Sequence, residues 1–391
     1  MSSSRLRIGH YYSDLMHPGG LPADARSLIA AQLGLGHDVV GFGLGPPKDG
    51  LRPPEGMDYV FDERSPAGVW KLARSIVEGP RRPDVLTVWS ALNPGNEIIL
   101  RSAHRAGVPT VLTPHGVLSP KLYETGRALP KRLYRTAGTA PSLRRWVDVL
   151  HAVSPQEEAD ARALGFVGPA FVFSFGTPQV PELDGPGPLR AACGVDEREV
   201  IVGFFGRMDL YQKGLDVLIA AFALCGDLVE DDGVTFVLAG KGSPGEWDRI
   251  RDLLGDHRIA NLVRTVGPFA EPDRFAALAD LDVLIHPSRF DGITRVMRES
   301  APLGIPSIVT PEANAQLLVD VGAAKMVELE PRELAAAIRQ TAAEEGWRRA
   351  ASDAARAWAS ENTWESCARR FDEAYERARR VRDARGERRE A

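Results

Sequence analysis

The stretch REVIVGFFGRMDLYQKGLDVLIAAFALC, residues 198–225, decides the fold. Its opening run, REVIVGFFG, is rich in β-branched and aromatic side chains and is bounded by glycine, the composition of a short buried strand. After the polar turn RMDLYQKG, apolar side chains return at Leu215, Leu218, Phe222 and Cys225, spaced as one face of a helix. A second apolar run, VTFVLAGKG at 234–242, follows. Strand, helix and strand in succession make a crossover, and crossovers build parallel sheets covered on both faces.

The same alternation extends outward. Downstream come LVRTVGPF, DRFAALADL, DVLIHPS, a helix after Asp291, IPSIVT and RELAAAIRQTAAEE. Upstream, RLRIGHYY, DARSLIAAQLGLG and HDVVGFG form one strand–helix–strand unit; RRPDVLTVWS, EIILRSAHRAG and VPTVLTPHG form another, with Gly107 ending its helix. RWVDVLHAVS and PAFVFSFG read as closing strands. Between the halves, TPQVPELDGPGPL at 177–189 carries four prolines and two glycines, a composition that continues neither a helix nor a central strand. The economical architecture is α/β: two doubly wound, Rossmann-like domains facing a central cleft, residues 1–180 and 181–358. Residues 351–380 read as one long helical pattern around Trp358, Trp364, Phe371 and Tyr375, with 359–380 as a terminal segment; 381–391, VRDARGERREA after Arg380, is too charged to pack and is expected to stay outside ordered structure.

Composition narrows the function. The chain has 391 residues, 44% of them hydrophobic and 26% charged, enough for two buried cores. Its net charge of -5 argues against nucleic acid as a partner. Cys193, Cys225 and Cys367 are widely spaced, without a zinc or redox pattern, and read as reduced thiols. The first residues contain no apolar stretch of signal type, and no run reaches the ~20 apolar residues of a membrane span, so the cytoplasm is the expected compartment.

Chemistry is expected where loops leave strands. RMDLYQKG holds Arg207 and Lys213 beside a helix start, where unpaired N–H groups and two cations make an anion site suited to a diphosphate; taken alone, the pair reads equally as solvated loop residues. The spacing is not that of a Walker loop. Gly19 and Gly20 lie between a strand and a helix, where backbone can approach a ligand, although glycine pairs in tight turns are common. His115 follows an apolar strand directly and precedes a glycine, so its ring can project from a strand's carboxyl end; His10, His17 and His286 lack that combination. Asp291 and Glu299, in HPSRFDGITRVMRESAPLG, lie eight residues apart across a helix start that Thr294 can cap. A retaining glycosidase would hold two carboxyls about 5–5.5 Å apart with no use for a phosphate clamp. A metal pair lacks a third oxygen ligand nearby. Two acids gripping one polyhydroxylated ligand remain, beside the plainer reading of an exposed acidic helix face.

In order along nearly the whole length, the chain carries the GG loop with LGHDVV, TPHG, HAVSPQEE followed by ALG, FGRMDLYQKGLDVL, LAGKG, VGPF, LIHPSRFDG, Glu299 with PLGIP, and a late TWE with Tyr375. This series resembles the retaining glycosyltransferases of the GT-B fold, family 4, the glycosyl transferases group 1. The resemblance implies that the terminal helix crosses back to the first domain. It also implies that Glu299 bonds the ribose of a nucleotide and that Asp291 holds hydroxyls of the donor sugar. The backbone of Gly292, Ile293, Thr294 and Arg295 would line sugar and phosphate. Arg207 and Lys213 would neutralise the diphosphate leaving group. His115, with Gly20 and its neighbour Gly19, would close onto the sugar and phosphates, and the base would lie by Gly240 and Gly267. Three departures stand out: Asp291 replaces the usual glutamate, Thr294 and Arg295 replace a glycine and an apolar residue, and SFG at 174–176 replaces PNG.

The implied reaction is transfer of a sugar from a nucleotide-diphosphate donor, UDP or GDP, to a hydroxyl acceptor: a polysaccharide, a lipid-linked glycan or a secondary metabolite. It proceeds with retention and with no cofactor or metal. A sugar-nucleotide 2-epimerase and a non-catalytic nucleotide-sugar-binding subunit share the architecture and stay open. The acceptor is unreadable, apart from the stretch 121–145, where Lys121, Arg127, Lys131, Arg132, Arg135, Arg144 and Arg145 face one acid, Glu124. Such a stretch suits peripheral contact with the inner face of an anionic membrane, or is a solvated face.

Overall fold

The computed structural model describes residues 5–91, 93–123, 133–183, 185–196, 198–231, 233–270, 273–292 and 295–390. The chain divides into two compact units. Unit 1 comprises Met1–Gly176 and Trp364–Ala391, and unit 2 comprises Thr177–Thr363.

Unit 1 is built on a parallel sheet of β1 (Arg7–Tyr11), β2 (Asp38–Leu44), β3 (Asp58–Asp62), β4 (Val85–Trp89), β5 (Thr110–Thr113), β6 (Val149–Ala152) and β7 (Ala170–Val172), in the order β3-β2-β1-β4-β5-β6-β7. β1, β4, β5 and β6 are buried along their whole length or nearly so, as strands covered on both faces must be. The helices between them open on one local device: Ser65-Pro66, Asn93-Pro94 and Ser154-Pro155 each place a capping oxygen on a backbone N–H just before a proline whose fixed φ suits the first turn. Order reverses between β1 and β4, so the loops leaving their carboxyl ends flank the topological switch point.

The terminal helix Trp364–Glu390 completes this unit. Phe371 and Tyr375 are fully buried. The Tyr375 hydroxyl accepts from Gln32 Nε2 at 2.8 Å and shares a hydrogen bond with Thr87 Oγ1 at 2.9 Å. The sequence reading fails in two places here. The pattern over 351–380 is two helices, Glu345–Glu361 and Trp364–Glu390, because Asn362 turns back on the carbonyl of Trp358 and its own carbonyl accepts from the N–H of Thr177 at 2.7 Å. Residues 381–390, expected outside ordered structure, continue the second helix. Two of their arginines, Arg382 and Arg385, have a buried partner. Asp148, wholly inaccessible, accepts from Arg382, from Arg385 Nη1 at 2.8 Å and from the N–H of Thr110 at 3.0 Å, and Arg382 also reaches the carbonyl of His104 at 3.2 Å. Removing Arg382 leaves the buried Asp148 with only the partly exposed Arg385 as its cation, so Arg382→Ala is expected to cost about 3 kcal/mol in urea unfolding. The double variant Arg382→Met, Asp148→Asn should regain most of that loss.

Unit 2 repeats the plan with β8 (Val200–Arg207), β9 (Val234–Lys241), β10 (Val263–Val266), β11 (Val283–His286), β12 (Ser307–Val309) and β13 (Ala324–Met326), ordered β10-β9-β8-β11-β12-β13 and parallel throughout. The opening stretch of sequence is β8, its loop and the helix Leu215–Ala223, with Leu215, Leu218 and Phe222 fully buried. β8 and β9 approach so closely at their ends that a Cβ on Gly240 would lie 1.8 Å from the carbonyl oxygen of Gly206. The order reverses between β8 and β11, and both loops singled out from sequence leave the sheet there.

Candidate functional site

In unit 2, the loops after β8 and β11 are clasped together. Gly214, with φ 62°, opens the helix after β8, and any Cβ there would lie 2.0 Å from the carbonyl oxygen of Pro287. Only glycine allows that contact, and the contact brings Lys213 onto the second loop. Arg289 holds Asp216 with both guanidinium nitrogens at 2.7 Å, stacks over Tyr211 at 4.7 Å, and its N–H donates to the carbonyl of Gln212 at 2.9 Å.

At the centre, the Lys213 ammonium is ion-paired with the Asp291 carboxylate; the side chains are 10% and 16% exposed. The same Asp291 oxygen lies 3.2 Å from Ser288 Oγ and 3.4 Å from His286 Nε2, and the hydroxyl and the imidazole are 3.0 Å apart. Asp291's own backbone is fixed, its N–H donating to the carbonyl of Glu312 at 3.0 Å and its carbonyl accepting from the Asn314 amide. Burial by itself would push the Asp291 carboxyl up, but His286 and Lys213 together hold it below the ordinary carboxylate range. Burial, and then the Lys213 cation, push His286 down, so the ring is neutral at pH 7.

Glu299 lies within the helix Arg295–Leu303 and is fully buried. It accepts from Arg295 Nε at 2.7 Å and is ion-paired with Arg274, whose guanidinium lies over the Phe205 ring at 5.9 Å. The two acids of the motif therefore hold separate cations. Arg207 ends β8 with its side chain 56% exposed, donating to Asp209 at 2.8 Å and to Gln212 Oε1. It is not in contact with Lys213's partner; Gln212 links the two loops by donating to the carbonyl of Phe290 at 3.3 Å. Gly292 follows Asp291 in the turn, and Gly267 has open space where a side chain would stand. Ile293 and Thr294 lie outside the described residues, as do 124–132 with Glu124, Arg127, Lys131 and Arg132.

In unit 1, Gly19 takes φ 145° and Gly20 begins the helix Gly20–Gly34, with nothing near enough to obstruct a side chain at Gly20. That helix carries the buried Asp24, and His115 Nε2 lies 3.5 Å from its carboxylate. His115 stacks on Phe175 at 5.5 Å and has φ 59°, a left-handed conformation that non-glycine residues seldom adopt. The next N–H, that of Gly116, donates to the buried Glu157, which also accepts from Val153 at 2.8 Å. Burial pushes the Glu157 carboxyl up, against the pull of those donors.

Sequence reasoning did not find His286, Ser288, Arg274, Gln212 or Glu157. The spacing His286-x-Ser288-x-x-Asp291 is a signal in hindsight, since all three side chains meet at one oxygen. Arg274 leaves none, because it reaches Glu299 from another helix. His10 is a core residue: its Nδ1 accepts from the Trp89 indole at 3.0 Å and its Nε2 lies 2.7 Å from Gln32. Among the described residues, no group of three or more His, Cys, Asp or Glu side chains is placed to hold a metal ion, and no helix is long and apolar enough to cross a membrane.

Two family models match the chain: "Glycosyl transferase 4-like domain" over residues 19–176 and "Glycosyl transferases group 1" over residues 199–344. The second contains both clasped loops and the first contains Gly19, Gly20 and His115. The chain is a group 1 glycosyltransferase. No curated protein sequence matches the transferase. Solved structures give the fold. The sucrose-phosphate synthase of Thermosynechococcus elongatus superposes with a TM-score of 0.72 at 20% identity, over 95% of this chain and 98% of that one. HepE from Anabaena, in complex with UDP-glucose, gives 0.75 at 18% identity over 95% and 99%. The transferase therefore has the GT-B fold of two Rossmann-like domains.

Proposed function

We propose that this transferase moves a sugar from a nucleoside diphosphate, UDP or GDP, to an acceptor hydroxyl with retention of anomeric configuration. One observation supports the reading above others: a buried lysine–aspartate pair at the switch point of the second sheet, beside a helix start. The Anabaena structure with UDP-glucose is consistent with a nucleotide-sugar donor.

In this reading the bond from the anomeric carbon to the phosphate oxygen breaks, and its electron pair leaves with the diphosphate. The acceptor oxygen attacks from the same face, and its proton passes to an oxygen of the leaving phosphate. No side chain serves as nucleophile. Lys213 exchanges part of its contact with Asp291 for the departing phosphate, with Arg207 and the start of the helix Arg295–Leu303 adding positive potential. Asp291, released from the ammonium, accepts hydroxyls of the sugar; its side chain is one methylene shorter than glutamate, which places the donor's choice of sugar here. Glu299 exchanges a guanidinium for the ribose hydroxyls, the backbone of Gly292, Ile293, Thr294 and Arg295 lines sugar and phosphate, and Gly240 and Gly267 flank the base. On unit 1, Gly19, Gly20 and His115 are the groups this reading assigns to sugar and phosphate contacts.

Incubation with UDP-, GDP-, ADP- and TDP-sugars, following free nucleoside diphosphate and isomerised sugar, tests the reading. Release of diphosphate dependent on an added acceptor is expected. Isomerised sugar without transfer would make the protein an epimerase, and binding without turnover a sugar-nucleotide carrier. Turnover should survive dialysis against EDTA; loss that magnesium or manganese restores would overturn the assignment of the charge to Lys213 and Arg207.

A further inference from the structure

We propose that unit 1 carries a second anion site, distinct from the loops bearing Gly20 and His115, which takes a soluble polyphosphate. The basis is an open cavity of about 1050 Å³ lined by Arg101, Arg105, Arg144, Arg145 and Arg385, with Glu97 as its one lining carboxylate among the described residues. A volume of that size suits a drug-sized ligand and exceeds what a single phosphate needs.

The charge is only partly compensated among the described residues. Arg385 is balanced in part by Asp148, and Arg144 Nε donates to the carbonyl of Ala140 at 3.2 Å. Arg101, Arg105, Arg144 and Arg145 have no carboxylate partner among the described residues, although acids outnumber bases in the chain as a whole, 53 to 48. Four guanidiniums around one hollow repel one another, and a polyvalent anion removes that repulsion. Arginine forks donate to phosphate oxygens two at a time, which gives geometry as well as charge. Arg101 also lies over the half-buried Trp146 ring at 5.9 Å, so one wall already pairs a planar cation with an aromatic face.

Topology separates this hollow from the candidate donor site. The helix Pro94–Arg105 leaves the carboxyl end of β4 and runs back to the amino end of β5, carrying Arg105 to the amino edge of the sheet with Arg101 one turn before it. Arg144, Arg145 and Trp146 directly precede β6 and lie at the same edge. Gly20 and His115 follow the carboxyl ends of β1 and β5. A strand of four or five residues puts about 15 Å between the two edges.

Titration calorimetry with sodium tripolyphosphate tests the proposal on the full chain, comparing wild type with Arg101→Gln, Arg145→Gln. The double variant should bind at least tenfold more weakly, and wild-type affinity should fall steeply with salt. Arginine labelling by phenylglyoxal, mapped by mass spectrometry, supplies an independent readout: tripolyphosphate should protect Arg101, Arg105, Arg144 and Arg145. Equal binding by the two proteins, protection confined to Arg207, or binding to phosphatidylglycerol vesicles without any affinity for tripolyphosphate would each overturn it.

Discussion

Lys213→Ala is expected to reduce turnover by about two to three orders of magnitude and to destabilise the protein by about 3 kcal/mol. The first figure is the usual loss when one preorganised donor to a developing oxyanion is removed, about 3–4 kcal/mol of transition-state stabilisation. The second is the cost of leaving Asp291 buried with its cation gone, with only Ser288 and His286 still on its oxygen. The effects are separable. In Lys213→Ala, Asp291→Asn the stranded charge is absent, so the melting temperature should return towards wild type while turnover stays low. Steady-state release of nucleoside diphosphate, measured beside thermal melting, decides the matter. Turnover that recovers together with stability would make Lys213 a structural residue and remove the leaving-group role.

Acid is expected to destabilise unit 1 well above the pH at which carboxylates are protonated. His10 and His151 are both fully buried, and each is locked as a neutral ring. His10 accepts the Trp89 indole proton, and His151 lies between Thr113 Oγ1 at 2.8 Å and the carbonyl of Phe173 at 3.1 Å. Burial pushes His10 down to about 4 and His151 to about 3. An unfolded histidine takes up its proton near pH 6.5, so below that value the unfolded chain binds protons that the folded chain refuses. Stability is therefore intact above about pH 6.5 and lost as the pH falls towards 4. At pH 5 the two sites together remove about 4 kcal/mol. Urea unfolding at pH 7.5 and pH 5 should show a lower midpoint at pH 5, much reduced in the double variant His10→Gln, His151→Gln. Matching wild-type midpoints at the two pH values would refute the assignment.

Much of this architecture is legible in residues 198–225, because a strand buried on both faces must be apolar throughout and its crossover helix must be apolar on one side. Places where that logic weakens were missed. β3 and the helix Pro66–Val77 escape notice because β3 is an edge strand with no fully buried residue, so its sequence, DYVFD, carries no strong period. The single helix expected over 351–380 is two, since an asparagine that bonds the carbonyl four residues back and a threonine, Thr177, that reaches it from far away in sequence look no different from surface polar residues. The charged end of the chain packs for a reason composition cannot supply: Asp148, more than two hundred residues away, is the group that makes Arg382 buriable and holds Arg385.

The candidate site divides in the same way. Lys213, Asp291 and His115 are singled out because each lies in a loop leaving an apolar strand, where chemistry is often carried, and Glu299 because it lies eight residues beyond Asp291. Their partners are not readable. Arg274 and Ser288 matter through contacts made in space, and His286 is set aside by a rule that looked for glycine next to histidine.

The discontinuity of unit 1 bears on how the protein is made. Its sheet and first helices leave the ribosome early, yet Phe371 and Tyr375, which fill its core, are translated only after all of Thr177–Thr363. At roughly 5–20 residues per second that interval lasts about ten to forty seconds. Throughout it the earlier-made half waits with an apolar slot uncovered, while the later-made half is still being synthesised. A chaperone that shields that slot until termination, or a stalled ribosome that never delivers the last helix, would decide whether the nascent chain matures or aggregates.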